Sequence, residues 1–307
     1  MTRYIIILFL IISVSCSQSR KEKAVVDFSE SSSKHTNENL NDKTVYIAIA
    51  SMTSPKETFT YYNDLVQYIS DKVGYPIYIK QKKTYEEVNK LLENDEVDFA
   101  FICSGAFTEG YKKGKIKLLV APEIDQKTSY QAYIITQKDS EINSFRDFEN
   151  KQFAFTDPLS NTGRLFPLKL LSNLNKNEQD FFQKTIFTYG HDISIQMVNR
   201  GIIDGASVHG LIFDYLTEYY PDKVKNIKII QKSEKFGMPP IVTPVSLDKE
   251  CFEKYQKVLL DIHQDSIGKG ILDKLLINRF VIVEDSIYKS VFELKEYIDN
   301  VTSKKNY

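Results

Sequence analysis

Short apolar segments alternate with longer amphipathic ones along most of this 307-residue chain, and this alternation limits the fold more than any other feature. Residues 45–50, Val-Tyr-Ile-Ala-Ile-Ala, predict a strand, and residues 58–73 carry apolar side chains at helical spacing up to Gly74. Residues 97–102 are nearly all apolar, as in a parallel strand buried on both faces. The pattern predicts an α/β fold built on an open sheet.

The alternation begins again after residue 150 and predicts a second α/β unit. The predicted strands and helices of this unit are, in chain order, 152–155, 165–174, 185–187, 193–200, 204–208, 211–218 and 226–230. A strand at 241–245 follows, and then helices at about 248–264 and 285–301. Since these last helices have no sheet of their own, we expect them to pack on the first unit.

The two units predict two α/β domains joined by two chain crossings, near residues 136–138 and 240–244. Domain I contains residues 44–136 and 245–307 in this interpretation, and domain II contains residues 137–244. Ligands bind at the carboxyl ends of strands and between domains in such folds, so the cleft between the units is the expected site.

The N-terminus indicates export. Residues 1–16 contain one early positive charge, an apolar run at 4–12 and then Ser13-Val14-Ser15-Cys16. The run is shorter than the roughly 20 residues that a spanning helix needs. The segment resembles a bacterial lipoprotein signal peptide, in which Cys16 is lipidated and anchors the protein to a membrane. Ser13 stands where such signals usually have Leu, so ordinary secretion with cleavage elsewhere is the alternative.

Residues 17–43 are rich in Ser, Lys, Glu, Asn and Asp and carry few large apolar side chains. A segment of this composition cannot bury a core, so it predicts a disordered tether between the lipid and the folded part.

Composition excludes several classes of protein. Lys and Arg number 40 against 41 Asp and Glu, so there is no basic excess that would indicate nucleic-acid binding. Cys103 and Cys251 lie far apart, and the four His residues show no metal-ligand spacing. No glycine-rich phosphate loop is present. The sequence therefore predicts no metal, cofactor or nucleic-acid partner, and Cys103 is expected to be a buried free thiol.

A turn rich in hydroxyl and amide side chains separates the strand 152–155 from the helix 165–174. It reads Asp-Pro-Leu-Ser-Asn-Thr-Gly-Arg over residues 157–164. Helix N-termini present unpaired N–H groups and the positive end of the helix dipole, so Ser160, Asn161 and Thr162 predict an anion site. The alternative is a plain helix cap, because Ser, Asn and Thr are common capping residues.

Five motifs in order resemble the phosphonate-, phosphite- and phosphate-binding periplasmic proteins of ABC transporters, the PhnD-like family. They are Glu-Val-Asp-Phe-Ala-Phe at 96–101, the segment 138–148, Phe-Ala-Phe-Thr-Asp-Pro-Leu-Ser-Asn-Thr-Gly at 153–163, Gly-His-Asp at 190–192 and Ile-Asp-Gly-Ala at 203–206. The resemblance covers nearly all of residues 44–300. It implies the type II periplasmic-binding-protein fold, with a ligand cleft between two domains and a two-crossing hinge.

The resemblance also implies which residues bind the ligand. Ser160, Asn161, Thr162 and His191 match positions that hold the phosphonate oxygens in the family. Four residues of the first domain complete the expected site: Tyr62, Ser104, Gly105 and Tyr130.

Three of these expectations keep an alternative. Tyr62 is as consistent with a core aromatic as with a residue that faces the cleft. Arg164 is either an extra partner of the anion or a solvated side chain. His191 is either a donor to the ligand, whose dianion would favour the charged form of the ring, or a residue at a helix N-terminus without a ligand role. Asp204 is expected to be structural.

The ligand is expected to lack a primary amine. Relatives that take aminoethylphosphonate place carboxylates just after the strand 204–208 and just before the strand 241–245, where this chain has Val-His-Gly-Leu at 208–211 and Gly-Met-Pro-Pro at 237–240. An unpaired buried ammonium is costly. Phosphate, phosphite, a small alkylphosphonate or another small oxyanion is therefore the predicted ligand.

The resulting hypothesis is a monomeric, lipid-anchored binding protein of the cell envelope, on the periplasmic side or outer surface. It would deliver a small oxyanion to the permease of an ABC importer, and it would not be an enzyme. One alternative is a sensor that reports its ligand to a membrane partner, and another is a surface lipoprotein that has lost transport. A catalytic Ser160–His191–Asp204 triad is a further alternative, but no nucleophile-elbow motif accompanies it.

Overall fold

The computed structural model describes residues 44–305. The predicted signal peptide with Cys16 and the predicted tether at 17–43 lie outside the described residues. Within the described part, no helix is long and apolar enough to cross a membrane.

The strands of the described part are β1 (Val45–Ile49), β2 (Ile77–Gln81), β3 (Phe99–Phe101), β4 (Ile116–Glu123), β5 (Ser129–Tyr130), β6 (Ala132–Gln137), β7 (Gln152–Phe155), β8 (Lys184–Phe187), β9 (Gly205–His209), β10 (Ile227–Lys232), β11 (Phe236–Gly237), β12 (Ile241–Pro244) and β13 (Arg279–Val281). Its α-helices are α1 (Pro55–Val73), α2 (Tyr85–Glu93), α3 (Ser104–Lys112), α4 (Phe166–Asn173), α5 (Glu178–Phe181), α6 (His191–Asn199), α7 (Gly210–Tyr219), α8 (Lys249–Asp261), α9 (Ser266–Lys274) and α10 (Lys289–Lys305). The sequence did not predict α5, α9, β11 or β13.

Two sheets organise these elements. The first has six strands in the order β13-β4-β12-β3-β1-β2, and β1 runs parallel to both β2 and β3. The second has five strands in the order β10-β6-β9-β7-β8, with β7 parallel to β8 and β9. Both sheets are mixed, because β12 and β6 pair antiparallel with their neighbours. The predicted α/β architecture with an open sheet in each unit is confirmed.

A third, two-stranded sheet lies where the chain passes between the larger ones. Strand β5 pairs antiparallel with β11, with Tyr130 opposite Phe236 and Ser129 opposite Gly237. The crossings therefore lie at β5 and β11, before β6 and β12, and not near 136–138 and 240–244. The reason is pairing: β6 lies between β10 and β9 in the second sheet, and β12 lies between β3 and β4 in the first.

The C-terminal helices divide their packing between the sheets. Tyr255 and Leu259 of α8 join the apolar core of the first sheet, as the sequence predicts. Leu294 and Ile298 of α10 instead join a cluster with Phe155, on the core of the second sheet. Phe292 of the same helix packs against Phe107 and Tyr111 of α3. Helix α10 thus contacts both halves, which the sequence did not predict.

The two described cysteines are buried and unbridged. Cys103 follows β3 and is fully buried, in agreement with the prediction of a buried free thiol. No group of His, Cys, Asp and Glu within residues 44–305 is arranged to hold a metal ion.

Candidate functional site

Helices from both halves begin at one cluster of residues between the sheets. Tyr85, Ser104 and His191 are the first residues of α2, α3 and α6, and His209 precedes the first residue of α7. Asn161 opens a wide helical turn that continues into α4. Each N-terminus directs the positive end of a helix dipole towards this cluster, which favours a bound anion.

The turn at 160–165 is both a cap and a widened helical turn. The Ser160 hydroxyl accepts a hydrogen bond from the N–H of Gly163 at 2.9 Å, so the cap interpretation of Ser160 is correct. The carbonyl of Ser160 accepts the N–H of Leu165, five residues later, at 3.0 Å. Gly163 is needed here, since a Cβ would lie 2.4 Å from the hydroxyl oxygen of Thr156. Such widened turns are frequent at functional sites.

Several buried polar atoms of this cluster have no hydrogen-bond partner within the protein. They are Tyr85 Oη, Asn161 Oδ1, Thr162 Oγ1, His191 Nε2 and His209 Nδ1. Buried polar atoms are nearly always paired in folded proteins, and leaving one unpaired costs about 1–3 kcal/mol. Their concentration in one cluster is the main geometric sign of a ligand site.

The hydrogen bonds of His191 determine which of its nitrogens faces the site. The backbone N–H of His209 donates to His191 Nδ1 at 3.1 Å, and the Thr156 hydroxyl lies 3.0 Å from the same atom. A backbone amide can only donate, so Nδ1 acts as the acceptor and the ring proton lies on Nε2. His191 therefore presents an N–H donor through Nε2, and this atom has no hydrogen-bond partner within the described residues.

A chain of hydrogen bonds joins the first half to the turn. The Ser104 hydroxyl lies 2.7 Å from the Tyr130 hydroxyl, which accepts a hydrogen bond from the Asn161 side-chain amide at 3.3 Å. The Tyr130 ring stacks on His209, with ring centroids 4.3 Å apart. Tyr130, on β5, thus links both halves at the point where the chain crosses between them.

The two halves are in direct contact around the cluster. The N–H of His191 donates to the carbonyl of Met52 at 2.9 Å, and the N–H of Ser54 donates to Asp192 at 2.8 Å. The Tyr85 N–H donates to the Asp157 carboxylate at 3.1 Å. These contacts describe a closed arrangement, in which the first turns of α2 and α6 bond across the cleft.

Gly105 lies at a close approach of the two halves. A Cβ at this position would lie 2.2 Å from the carbonyl oxygen of Leu159 and 2.8 Å from the amide nitrogen of Asn161. The structure thus gives Gly105 a packing reason to be glycine, besides its expected role as a donor.

Arg164, the cationic side chain that follows the turn, is engaged away from the cluster. Arg164 pairs with Glu178 at 2.5 Å and stacks on Phe155 at 4.3 Å, so the alternative of Arg164 as an extra anion partner is not what the structure shows. Burial lowers the pKa of His191 well below its usual value and lowers the pKa of His209 to about 3, so both rings are neutral in this closed arrangement. Burial also raises the pKa of Asp157.

Asp204 has a structural position, as the sequence predicts. Its carboxylate accepts the backbone N–H of Gln152 at 2.8 Å, and its carbonyl accepts the Thr136 hydroxyl at 2.7 Å. Thr156 and the His209 backbone are the hydrogen-bond partners of His191 Nδ1. A catalytic Ser160–His191–Asp204 triad would require Asp204 in that place.

A cavity of about 490 Å³ opens beside the cluster, between the two halves. Its wall is largely apolar and includes Ile102, Leu211 and Met238, and His209 lies where the wall meets the buried donors. Tyr62 lines the same cavity and packs the edge of its ring against Phe101, with centroids 5.2 Å apart. Both interpretations of Tyr62 therefore hold, because it faces the cleft and packs on the core.

The structure brings most of the expected residues together. Ser104, Tyr130, Ser160, Asn161, Thr162 and His191 form one contiguous buried cluster, Gly105 packs beside it, and Tyr62 lies in the adjoining cavity. Sequence reasoning missed Tyr85, Thr156 and His209. The capping box of Thr84 and Glu87, directly after β2, was a detectable signal for Tyr85, because it marks a helix start at the carboxyl end of a strand.

A family model described as "ABC transporter, phosphonate, periplasmic substrate-binding protein" matches residues 47–288. The match includes both large sheets and every residue of the cluster. The chain belongs to this family. The family resemblance predicted from the motifs is thereby confirmed, and with it an extracytoplasmic binding protein that works with a permease.

Individual relatives of this phosphonate-family binding protein are distant. The "Probable ABC transporter phosphite binding protein PhnD1" of Prochlorococcus marinus is 24% identical over 60% of this chain and 66% of its own length. A binding protein component of an ABC phosphonate transporter from Pseudomonas aeruginosa superposes with a TM-score of 0.79, at 20% identity, over 84% of this chain and 87% of its own. PhnD1 of P. marinus in complex with methylphosphonate gives a TM-score of 0.75 at 17% identity, over 84% and 98%. These superpositions confirm the predicted type II periplasmic-binding-protein fold.

Proposed function

We propose that this protein is a lipid-anchored, extracytoplasmic receptor that binds a small phosphorus oxyanion in the cleft and delivers it to the permease of an ABC importer. The observation that carries the proposal is the set of buried, unpaired polar atoms at converging helix N-termini, with Thr162 Oγ1 and His191 Nε2 as its clearest donors. An anion bound among them would supply the missing partners.

The chemistry of the cluster favours a tetrahedral oxyanion. Hydroxyls of Tyr85, Ser160 and Thr162 and the ring N–H of His191 are neutral donors, and together they can hydrogen-bond several oxygens of one ligand. A phosphite, phosphonate or phosphate group offers three or four oxygens in a compact volume. The phosphite named for one relative and the methylphosphonate bound in the solved structure of PhnD1 support this ligand class.

The anchor and the domain partition belong to the same proposal. Lipidated Cys16, followed by the tether 17–43, would hold the receptor near its permease while leaving the cleft accessible. The two domains would move about the β5–β11 sheet, since these strands pair where the chain passes between the large sheets. A sensor would use the same cleft, so the membrane partner distinguishes transport from sensing.

Native mass spectrometry of protein purified from its own host tests the ligand class. We expect the mass of a monomer plus a small phosphorus oxyanion. A Ser160→Ala, His191→Ala double variant should lose the added mass. Retention of the same ligand by the double variant would place the binding site elsewhere.

Membrane fractionation tests the anchor. Wild-type protein should sediment with membranes and become soluble when Cys16 is replaced by Ala, with its ligand affinity unchanged. Cross-linking of the anchored protein should capture an ABC permease. Capture of a sensor protein instead would favour the sensing alternative.

A further inference from the structure

Strand β2 forms one edge of the first sheet. Among the described residues it pairs only with β1, in parallel. The N–H of Val45 donates to the carbonyl of Pro76 at 3.0 Å, which directs the backbone of Pro76 towards β1. Successive residues of a strand direct their backbone groups to opposite sides, so Ile77, Ile79 and Gln81 direct theirs outward. Such a row of backbone groups is a template for a further strand.

A shallow groove of about 330 Å³ lies between this edge and helix α1. Ile77 and Ile79 line it together with Val66 of α1, and all three side chains belong to the apolar core of the first sheet or pack against it. Tyr78 points to the opposite face of the sheet and is 56% exposed, and Lys80 follows it on that face. A strand added to this edge would therefore place apolar side chains over the groove.

A segment with a matching pattern precedes the described part of the chain. Residues 24–28 read Ala-Val-Val-Asp-Phe, the one run of consecutive apolar residues between Cys16 and Val45. β-Branched and aromatic residues favour strands. In a strand, Val26 and Phe28 would share one face and Asp27 would lie on the other.

We propose that residues 24–28 add to the outer edge of β2 as an antiparallel strand. Phe28 would then lie opposite Ile77, and Val26 opposite Ile79. Both apolar side chains would cover the groove beside α1, and the outward backbone groups of β2 would gain hydrogen-bond partners. The sequence predicts a tether over all of residues 17–43, and this inference gives part of that tether a docking site.

Charge favours this segment over a second copy of β2. Asp27 would lie opposite Tyr78 and diagonal to Lys80, where long side chains of opposite charge attract each other. Two β2 strands paired edge to edge would instead bring two Lys80 side chains to the same face, and like charges oppose that pairing.

The length of the chain favours the antiparallel direction. Val45 lies opposite Ile77, so the Phe28 end of the added strand and the start of β1 are at the same end of the sheet. They are two strand spacings apart, about 10 Å. Residues 29–44 number sixteen and can reach about 50 Å. They can therefore close the loop, whereas a parallel strand would require them to return along its whole length.

Docking of residues 24–28 would shorten the free part of the tether. Only residues 17–23 would remain between Cys16 and the added strand, and they reach about 25 Å at most. The β2 edge would then face the membrane that carries the lipid. This inference does not depend on the ligand and goes beyond the proposed function.

Amide hydrogen exchange of the full-length protein in detergent tests the docking. The readout is the exchange rate of the three outward amides of β2, measured by mass spectrometry on fragments that contain them. These amides should be protected in wild-type protein, because each would donate to a carbonyl of the added strand.

A double variant removes the groove contacts without touching the folded part. Val26→Asp, Phe28→Asp should speed exchange of the three amides at least about tenfold. Ser31→Asp, Ser33→Asp adds the same charge within the connecting loop and is the matched control, with rates equal to wild type. Equal rates for wild-type protein and the Val26→Asp, Phe28→Asp variant would overturn the inference. Protection that persists in this variant and increases with protein concentration would show that a second copy covers the edge instead.

Disulfide trapping tests the register. An Asp27→Cys, Tyr78→Cys variant places two cysteines at a directly opposed pair, whose separation suits a disulfide. It should form an intramolecular disulfide at least about tenfold faster than Ser33→Cys, Tyr78→Cys, because only the first pair is held together. The native Cys103 and Cys251 are buried and do not compete. Equal rates for the two pairs would contradict the proposed strand.

These tests are separate from those of the proposed function. The affinity for methylphosphonate should be the same for wild-type protein and both aspartate double variants, because none of the replaced residues belongs to the cluster. If wild-type protein binds no phosphorus oxyanion but shows the expected exchange pattern, the proposed function fails and the docking of residues 24–28 stands.

Discussion

Neutral donors, and not charged side chains, define the candidate site at the scale of single residues. The Nδ1 atom of His191 receives the backbone N–H of His209, so the ring is held with its proton on Nε2. A second proton on His191 would displace that bond. The structure therefore favours a neutral His191 that donates one hydrogen bond to the ligand, rather than the charged form expected from the sequence.

Thr162 gives the simplest test of the donor set. Thr162→Val removes the unpaired hydroxyl at nearly constant volume, and it should weaken methylphosphonate binding by about 1.5–3 kcal/mol, since a hydrogen bond to a charged group is lost. Thr162→Ser keeps the hydroxyl and is the matched control, with affinity close to wild type. Equal affinities of the two variants in calorimetry would show that this hydroxyl does not contact the ligand.

The two buried histidines predict a pH dependence of stability. His209 is neutral in the native protein, with a pKa of about 3, and becomes protonated near pH 6.5 when the chain unfolds. The unfolded state therefore binds more protons below pH 6.5, and the free energy of unfolding should fall as the pH is lowered. At pH 5, protonation of His209 in the unfolded chain should lower the free energy of unfolding by about 2 kcal/mol, relative to its value well above pH 6.5.

Urea unfolding at pH 7 and pH 5 measures this effect. His209→Gln should lose less stability between the two pH values than wild-type protein does, because Gln takes up no proton. Identical losses for both proteins would mean that His209 is not buried and neutral in solution.

Sequence reasoning named the cluster residues whose backbone context is local and missed those whose position depends on packing. Ser160 and Thr162 follow a strand and open a helix, so their backbone context alone indicates an anion site. His191 came from a family motif. Tyr85 and His209 enter the cluster only because β2 and β9 end beside it, and no periodicity along the chain specifies which strand ends meet.

At the scale of secondary-structure elements, the close approach of α3 to the turn at 157–161 determines how far the cleft can close. Gly105 faces the backbone of Leu159 and Asn161, and backbone atoms cannot rotate away as a flexible side chain can. The N-terminus of α6 bonds across the cleft through the His191 N–H and the Asp192 carboxylate. The same short segment thus offers a ligand donor and holds the halves together.

Gly105→Ala should therefore impair closure. The added Cβ would lie 2.2 Å from the Leu159 carbonyl, so α3 and the turn must separate and the affinity for methylphosphonate should fall about tenfold or more. Gly270→Ala is the matched control, because a Cβ on Gly270 in α9 meets nothing within 4 Å. Its affinity should equal that of wild-type protein. An unchanged affinity for Gly105→Ala would show that ligand binding does not require the closed contact.

Secondary-structure elements were predictable from local sequence, whereas their arrangement in sheets depends on contacts between distant residues. Alternation of apolar and amphipathic segments predicted most strands and helices. The assignment of β6 and β12 to sheets was not predictable in this way, because each strand pairs with partners far along the chain. Helix α10 has an amphipathic pattern that predicts a helix. Its contacts with Phe107 in the first half and with the cluster of Phe155 in the second depend on the tertiary packing.

At the scale of the whole molecule, the chain passes between the two large sheets at β5 and β11, and Tyr130 of β5 also contacts the site. A ligand that bonds to groups of both halves stabilises the closed state relative to the open one. We expect the rotation to occur at this short antiparallel pair, since β6 and β12 are each paired within a large sheet.

Small-angle X-ray scattering should detect this closure. Ligand-free protein should have a larger radius of gyration than protein saturated with methylphosphonate, and the saturated curve should match the closed structure. Gly105→Ala should remain open at the same ligand concentration. Identical curves for wild-type protein with and without ligand would argue against a hinge at β5 and β11.

The central claim is that the cluster at the converging helix N-termini binds a small phosphorus oxyanion, and calorimetric titration of refolded, ligand-free protein tests it most directly. We predict saturable one-to-one binding of methylphosphonate or phosphite to wild-type protein, and loss of that binding in the Ser160→Ala, His191→Ala double variant. Absence of binding by wild-type protein, or unchanged binding by a folded double variant, would contradict the account.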